Sequence, residues 1–279
     1  MKKNKKKSHF FSLFFFFSYF VISFLPKTVL SQTVFESIKT FPLTAETIHL
    51  DQLHQLYLIK TDNTLLKFDA KGEQQFEYSN SLLGDISWVD VTDPLNIAIY
   101  YANYQSVVLL DRNLTELQVI SLFELGFGQV SAIGISNNQN IWLYDENDFK
   151  LKRIDRQGKV VFESGDLSMN IGRSIQPVQL LERDNKIFAN DPEQGIFVFD
   201  LFGQYLYHLN IQHLSSFQIL DKHLIYFENH QLKSWNLQSK LETVLAQWKK
   251  EAQIRQVWVD QQERLYVLKD NTVEVLRFP

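Results

Sequence analysis

The feature that most restricts this chain is that it repeats itself. Ser136-Asn-Asn-Gln-Asn-Ile-Trp-Leu-Tyr-Asp145 and Asp260-Gln-Gln-Glu-Arg-Leu-Tyr-Val-Leu-Lys269 share one grammar: a polar turn, four apolar residues, then a polar residue. The apolar quartet recurs as Leu56–Ile59, Ile97–Tyr100, Ile141–Tyr144, Leu224–Phe227 and Leu265–Leu268, with a shorter Ile187–Ala189. Each leads through a turn into a second run that closes on an apolar–polar pair. These pairs are Phe68-Asp69, Leu110-Asp111, Ile154-Asp155, Phe199-Asp200, Trp235-Asn236 and Leu276-Arg277, spaced 42, 44, 45, 36 and 41 residues apart. A third run follows most of them, as in Lys159-Val-Val-Phe-Glu-Ser164 and Gln204-Tyr-Leu-Tyr-His208.

A period near 40 residues holding four short strands is that of a β-propeller blade, whereas helical repeats of similar length need amphipathic helices. No window keeps an i, i+3, i+4, i+7 apolar stripe for three turns. The quartets are apolar at every position because stacked blades bury an inner strand on both faces. With strands lettered a to d from the inside, five blades are complete, at 46–80, 85–123, 130–166, 177–211 and 215–248. The sixth has a at 254–260, b at 264–269 and c at 272–278, and lacks its outer strand. Thr33-Val-Phe-Glu-Ser37 matches the d-strand string Val160-Val-Phe-Glu-Ser164, so the N-terminal side can supply the missing strand and remove two open sheet edges. The sequence thus predicts an all-β, six-bladed β-propeller over residues 32–279. It has four antiparallel strands per blade, and the last blade is closed by an N-terminal strand within 32–43.

Residues 1–31 follow different rules. Lys2 to Lys7 are basic, Phe10 to Leu25 are almost purely apolar, Pro26 breaks the run, and Val29-Leu30-Ser31 ends on a small residue before Gln32. Basic, apolar, breaker, small is the order of a secretory signal peptide, and the apolar run is just short of the ~20 residues that span a bilayer. The expectation is export by a Sec-type signal to a periplasmic or extracellular location, with no membrane attachment after cleavage. Retention as a membrane anchor is the alternative. The absence of cysteine and the lysine-rich start suit a bacterial envelope protein. Taking away the six lysines of this segment leaves 22 basic against 32 acidic residues, a net charge of −10 instead of −4. So acidic a body repels phosphate backbones and anionic lipid, which argues against nucleic acid as a partner.

The stretch from Ile135 to Gly158 resembles the NHL-type repeat, which runs apolar, Asp, turn, Gly-Asn, Ile-Tyr-Val-Ala-Asp, turn, Phe-Asp and a glycine turn. Residues 259–276 resemble it too, with fainter copies over 46–279. The repeat's turn glycine is replaced by Gln139 and Glu263, and the Asp that closes its second strand is absent at Tyr101. The resemblance implies a six-bladed NHL-like scaffold and carries little about function.

Chemistry-bearing motifs are sparse. There is no G-x-S-x-G elbow and no cysteine nucleophile, and Gly126-Phe-Gly128 lacks the third glycine of a phosphate loop. No cofactor and no metal are expected. Six-bladed lactonase-like and lyase-like enzymes hold a divalent cation, but their Glu-Gly-Pro strand has no counterpart here. Asp145-Glu-Asn147-Asp148 lacks the glycine and distant Glu of a calcium loop. His213 and His230, with Asp191, have the composition of a two-histidine, one-carboxylate site and share one face, whereas His223 falls on the other. That face is built by the b–c and d–a loops and gathers the candidate binding residues Tyr104, Asp145, Arg173, Asp191, His213 and His230. The long connection from Leu167 to Gln176 lies there too, with Met169 and Ile171 beside Arg173. The reading is a non-catalytic binding or scaffold module that contacts protein partners of the cell envelope through this face. A metal-dependent hydrolase or lyase of the six-bladed type is the alternative.

Overall fold

A computed structural model describes residues 35–278, and the expected signal segment lies outside them. Its strands form six four-stranded antiparallel sheets, five of them continuous in sequence. The inner strands are Ala45–Leu50, Trp88–Asp93, Val130–Ile135, Gln179–Arg183, Gln218–Leu220 and Ile254–Val259. The molecule is the six-bladed propeller that the repeat predicts.

The quartets become the b strands, and burial explains their composition. Every residue of Leu56–Ile59 and Ile141–Tyr144 is buried, because each sheet is covered on both faces. The core is divided into six wedges, each between two neighbouring blades. Ala98, Tyr100, Val107 and Leu109 of blade two, for example, pack on Val130, Ile133, Ile141 and Leu143 of blade three.

The c–d turns share one design. Asp155 and Asp200 each accept hydrogen bonds at Oδ1 from the backbone N–H groups two and four residues on. The fourth residue of each turn, Gly158 or Gly203, is left-handed, at φ 82° and 69°. A Cβ on either would come within 2.4 Å of Leu125 or 2.5 Å of Ser164 in the preceding blade. The a–b turns repeat the device without glycine: His54, Gln139 and Glu263 hold φ 59°, 63° and 59°. Gln139 and Glu263 therefore occupy the position of the repeat's turn glycine and carry its backbone strain, since L side chains disfavour this region.

The last blade is closed as expected, but by Glu36–Phe41 and in another register. Ser37 faces Leu276 and Phe41 faces Val273, antiparallel, with a bulge after Ser37. In blade three Val160 faces Ile154, the residue equivalent to Leu276, so the match of Thr33–Ser37 to Val160–Ser164 is displaced by four residues. An even shift leaves every side chain on the same face, so an alternating pattern cannot detect it. Aromatic docking decides the register. Phe41 is buried edge-on to Phe68, 5.1 Å between centroids, and Phe35 leaves the ladder to stack on Trp248 at 5.2 Å.

One element lies outside the repeat. The connection between blades three and four contains a short helix, Leu167–Ile171, where no helix is predicted. Asp166 caps its first turn by accepting from Ser168 N at 2.8 Å, and Gly172 ends it at φ 79°. Leu167 and Ile175 are buried on either side, so the segment is pinned to the blades.

Candidate functional site

The connections sort by face. Every a–b and c–d link is a short turn, whereas four of the six d–a links are long, 79–87, 122–129, 164–178 and 210–217, beside the shorter 248–253 and 42–44. Leu82, Phe123 and Met169 stand on these links at 80%, 74% and 81% exposure, and Tyr104 at 57% on the adjoining b–c turn. The opposite rim also exposes Phe202 and Leu241, but on tight turns capped by Asp200 and Asn236.

The six residues expected on the loop face divide into two kinds. Tyr104 is exposed and packs its ring edge over Gly84. Arg173 is exposed, with its guanidinium 5.3 Å from the Phe197 ring centroid. His213 is exposed and left-handed at φ 60°, and its N–H donates to Pro192 O. His230 is half-buried, with Nδ1 lacking a partner among the described residues. Asp145 and Asp191 are buried and fully engaged. Asp145 pairs with Lys152 at 2.8 Å and accepts from Asn147 N. Asp191 accepts from Glu193 N, Gln194 N, Gln176 N and Gln194 Nε2, all at 2.9–3.0 Å, which fixes the b–c turn against the long connection. With every lone-pair direction in use, Asp191 has none left for a ligand beside His213 and His230. Among the described residues no three His, Cys, Asp or Glu side chains converge as a metal site.

A site not anticipated from the sequence is the central channel. Inner strands of blades one, two, four, five and six surround a cavity of ≈ 90 Å³. Strand register places His49, Asp90, Gly134, Leu181, Gln218 and Trp258 at one level, each opposite the second residue of its quartet or the equivalent b-strand position. Side chains at this level and one step deeper reach to the next blade. Gln179 holds Phe217 by both N–H and C=O, and Gln218 holds Val259 in the same way. Gln256 accepts from Ile48 N at 2.8 Å, and Asp90 accepts from Ile135 N at 2.7 Å. A glutamine amide mimics a peptide unit, so each pair adds a short piece of ladder between two sheets that otherwise share only side-chain contacts.

Two junctions depart from this pattern. Between blades three and four Gly134 has no side chain, and a Cβ there would lie 2.5 Å from Leu180 O. The two inner strands close directly on each other, and blade three lends no residue to the cavity wall. Between blades one and two the contact is aromatic. His49 lies edge-on to Trp88 at 5.0 Å and tilted on Trp258 at 5.6 Å. His49 and Trp88 also line a separate groove of ≈ 380 Å³ between these blades, bordered by Glu46, Asn63 and Asp85.

The channel is largely apolar, with titratable groups buried in it. Burial lowers the His49 pKa from 6.5 to about 4, so the imidazole is neutral near neutral pH. Burial pushes Asp90 upward, against hydrogen bonds from Thr92 and the Ile135 N–H that favour its charge. Asp51 is raised by burial too, although the Gln55 N–H and the Tyr57 hydroxyl oppose the shift. The wall runs from Trp88, Gln179 and Phe217 at the strand starts to Gln52, Thr92 and Arg183 near the a–b turns. Those last three also border a polar basin of ≈ 230 Å³ that holds Asp93, Asn137 and Glu182. The polar mouth therefore faces away from the long loops. The sequence signal for this layer was a polar residue in otherwise apolar inner strands, at Gln179, Gln218 and Gln256, spaced by about one blade.

No protein-family model matches the sequence, and no curated protein does. Solved structures match by fold. The WD40 domain of Neurospora crassa Pan2 aligns over 88% of this chain and 95% of its own, at 10% identity and TM-score 0.64. Virginiamycin B lyase from Staphylococcus aureus aligns over 88% and 100%, at 11% identity and TM-score 0.63. The β-propeller domain of Myceliophteria thermophila Cps50 (Swd1) covers 88% and 100%, at 10% identity and TM-score 0.58. At such identities the likeness is one of propeller scaffold.

Proposed function

We propose that this chain is an exported, non-catalytic binding module of the cell envelope, and that its b–c/d–a loop face carries the contact with a protein partner. The observation behind this reading is the segregation of loops. All the long inter-blade connections emerge on one side, while the other side is closed by turns whose side chains serve the turn itself. Loops on a rigid scaffold are where recognition residues concentrate, and large exposed apolar side chains rimmed by polar ones mark interaction surfaces. Tyr104, Met169 and Arg173 are suited to anchor such a contact because the segment pinned by Leu167 and Ile175 presents two of them, Met169 on its helix and Arg173 just past the Gly172 cap, at little ordering cost. The segment 1–31 supports export by its order of basic, apolar and small residues.

The test compares two folded triple variants in a pull-down from envelope extract. One carries Tyr104→Ala, Met169→Ala and Arg173→Ala; the other carries Phe202→Ala, Lys222→Ala and Leu241→Ala. Partners are expected to be lost with the first and kept with the second. Loss with the second alone overturns the assignment of the face. N-terminal sequencing of the exported protein should begin at Gln32.

A further inference from the structure

The loop face carries more negative charge than the turn face. Its b–c and d–a connections hold nine acidic residues against three basic ones, whereas the a–b and c–d turns hold eight against six. One part of it is concave. The groove of ≈ 380 Å³ between blades one and two is walled by Glu46, Thr61, Asn63, Asp85 and Ser87, with Ile59, Ile86 and Trp88 as its apolar surface. Asn63 fixes its shape. Nδ2 of Asn63 donates to Asp85 Oδ1 at 2.6 Å and Oδ1 accepts from Ile86 N at 3.1 Å, which ties the b–c turn to the 79–87 link. The charges around the groove cancel in pairs with one exception. Arg255 holds Glu46 at 3.0 Å and also donates to Ala45 O, and Lys60 holds Asp62 at 2.7 Å. Asp85 is exposed and has no ion-pair partner among the described residues, and only its Oδ1 is hydrogen-bonded there. The same link reaches the apolar anchors, because Tyr104 packs on Gly84 and Leu82 stands 80% exposed.

We propose that this groove receives an arginine side chain of the protein partner, an inference that rests on the loop-face reading above. The guanidinium pairs with the open side of the Asp85 carboxylate, and the side chain lies along Trp88, Ile59 and Ile86. Arginine suits these walls better than lysine. Its planar fork matches a carboxylate, it stacks on an indole, and it is more weakly hydrated than an ammonium. The surplus of acid on the surrounding face steers a basic partner toward the groove and sets its orientation. The space, at ≈ 380 Å³, holds one long side chain, and the Asn63 bonds form it before the partner arrives. Leu82 and Tyr104, on either side of Gly84, then meet apolar residues that flank the arginine.

The experiment is an NMR titration of the isotope-labelled full chain with three capped residues of similar size: N-acetyl-arginine amide, its neutral isostere N-acetyl-citrulline amide, and N-acetyl-glutamate amide. The arginine probe is expected to shift the Asp85 and Ser87 amides and the Trp88 indole, and to bind about threefold to tenfold more tightly than citrulline. The glutamate probe should not bind. Asp85→Asn keeps the oxygen that accepts from Asn63 and should bring arginine down to the level of citrulline. Thr61→Trp fills the groove and should abolish both, while Asp270→Asn, an acid of the same face outside the groove, should change neither. Because the probe series runs on the unaltered protein, it decides the question even where a variant fails to fold. Equal binding of arginine and citrulline, shifts that fall elsewhere, or no binding overturns the proposal. Asp85→Asn also belongs in the pull-down described above. Partners lost with the Tyr104, Met169 and Arg173 variant but kept with Asp85→Asn leave the face assigned and overturn the groove.

Discussion

His49 should make this propeller sensitive to mild acid. Its imidazole is wedged between Trp88 and Trp258 and is buried, so the native state holds it neutral with a pKa of about 4, against 6.5 for an unhindered histidine. The unfolded chain takes up the proton first as pH falls, so stability is full above pH 6.5 and is lost as pH drops toward 4. A depression of this size corresponds to roughly 3 kcal/mol once the loss is complete, and to about 2 kcal/mol at pH 5. For a domain of this length that is a fall of about 4–8 °C in Tm between pH 8 and pH 5. Asp51 and Asp90, both raised by burial, hold protons more tightly in the native state and act in the opposite direction. Asp69, Asp111 and Asp166, held low chiefly by hydrogen bonds, weaken the fold only as pH falls through the carboxylate range. The assay is therefore differential: urea unfolding of the protein and of His49→Phe, which keeps a ring between the two indoles, at pH 8, 7, 6 and 5. The carboxylate contributions cancel in the difference, and the variant should lose about 2 kcal/mol less stability over this range. If the two stability curves stay parallel within about 0.5 kcal/mol, the histidine is not held neutral by the fold and the reasoning fails.

The closing strand and the turns make separate predictions. Deleting residues 32–43 removes no inner strand yet opens the ring. It should cost at least the ~3–5 kcal/mol of losing one buried phenylalanine, read as a Tm fall of about 10 °C; a change within a degree or two refutes closure. Glu263→Gly relieves a left-handed glutamate at φ 59° and should raise stability by about 0.5 kcal/mol in chemical denaturation, any loss counting against the strain. Gly203→Ala, at the equivalent point of a c–d turn, should lower stability by about 1–3 kcal/mol because its Cβ meets Ser164; a neutral result would show that the blades give way.

How much of this was legible in the chain depends on whether a feature repeats. Blade number, the b strands and the Asp-capped turns recur about every 40 residues, so each copy corroborates the others. Gln139 and Glu263 could be placed at a left-handed turn position because the repeat puts glycine there. Closure was legible as a missing strand, but its register was not. A shift of four residues preserves alternation, and the choice rests on Phe41 meeting Phe68 and Phe35 meeting Trp248, residues far apart in sequence. The loop face was legible from strand direction alone. That Asp145 and Asp191 are consumed by Lys152 and by backbone N–H groups was not, since an acid in a turn looks the same whether its oxygens are free or taken.

The channel shows the division most clearly. Local sequence determined that inner strands would exist and that most of their residues would be apolar, because two-sided burial leaves no polar face. It could not determine that His49, Trp88, Asp90 and Trp258 would come to line one cavity, as they lie on three strands drawn from opposite ends of the chain. Only ring closure brings blade six beside blade one, and only Gly134 lets blade three close on blade four and withdraw from the cavity wall. Periodicity is a property of each blade and can be read along the chain. The site depends on how six blades meet around an axis, and that is settled by packing between residues up to about 200 positions apart, as Ile48 and Gln256 are.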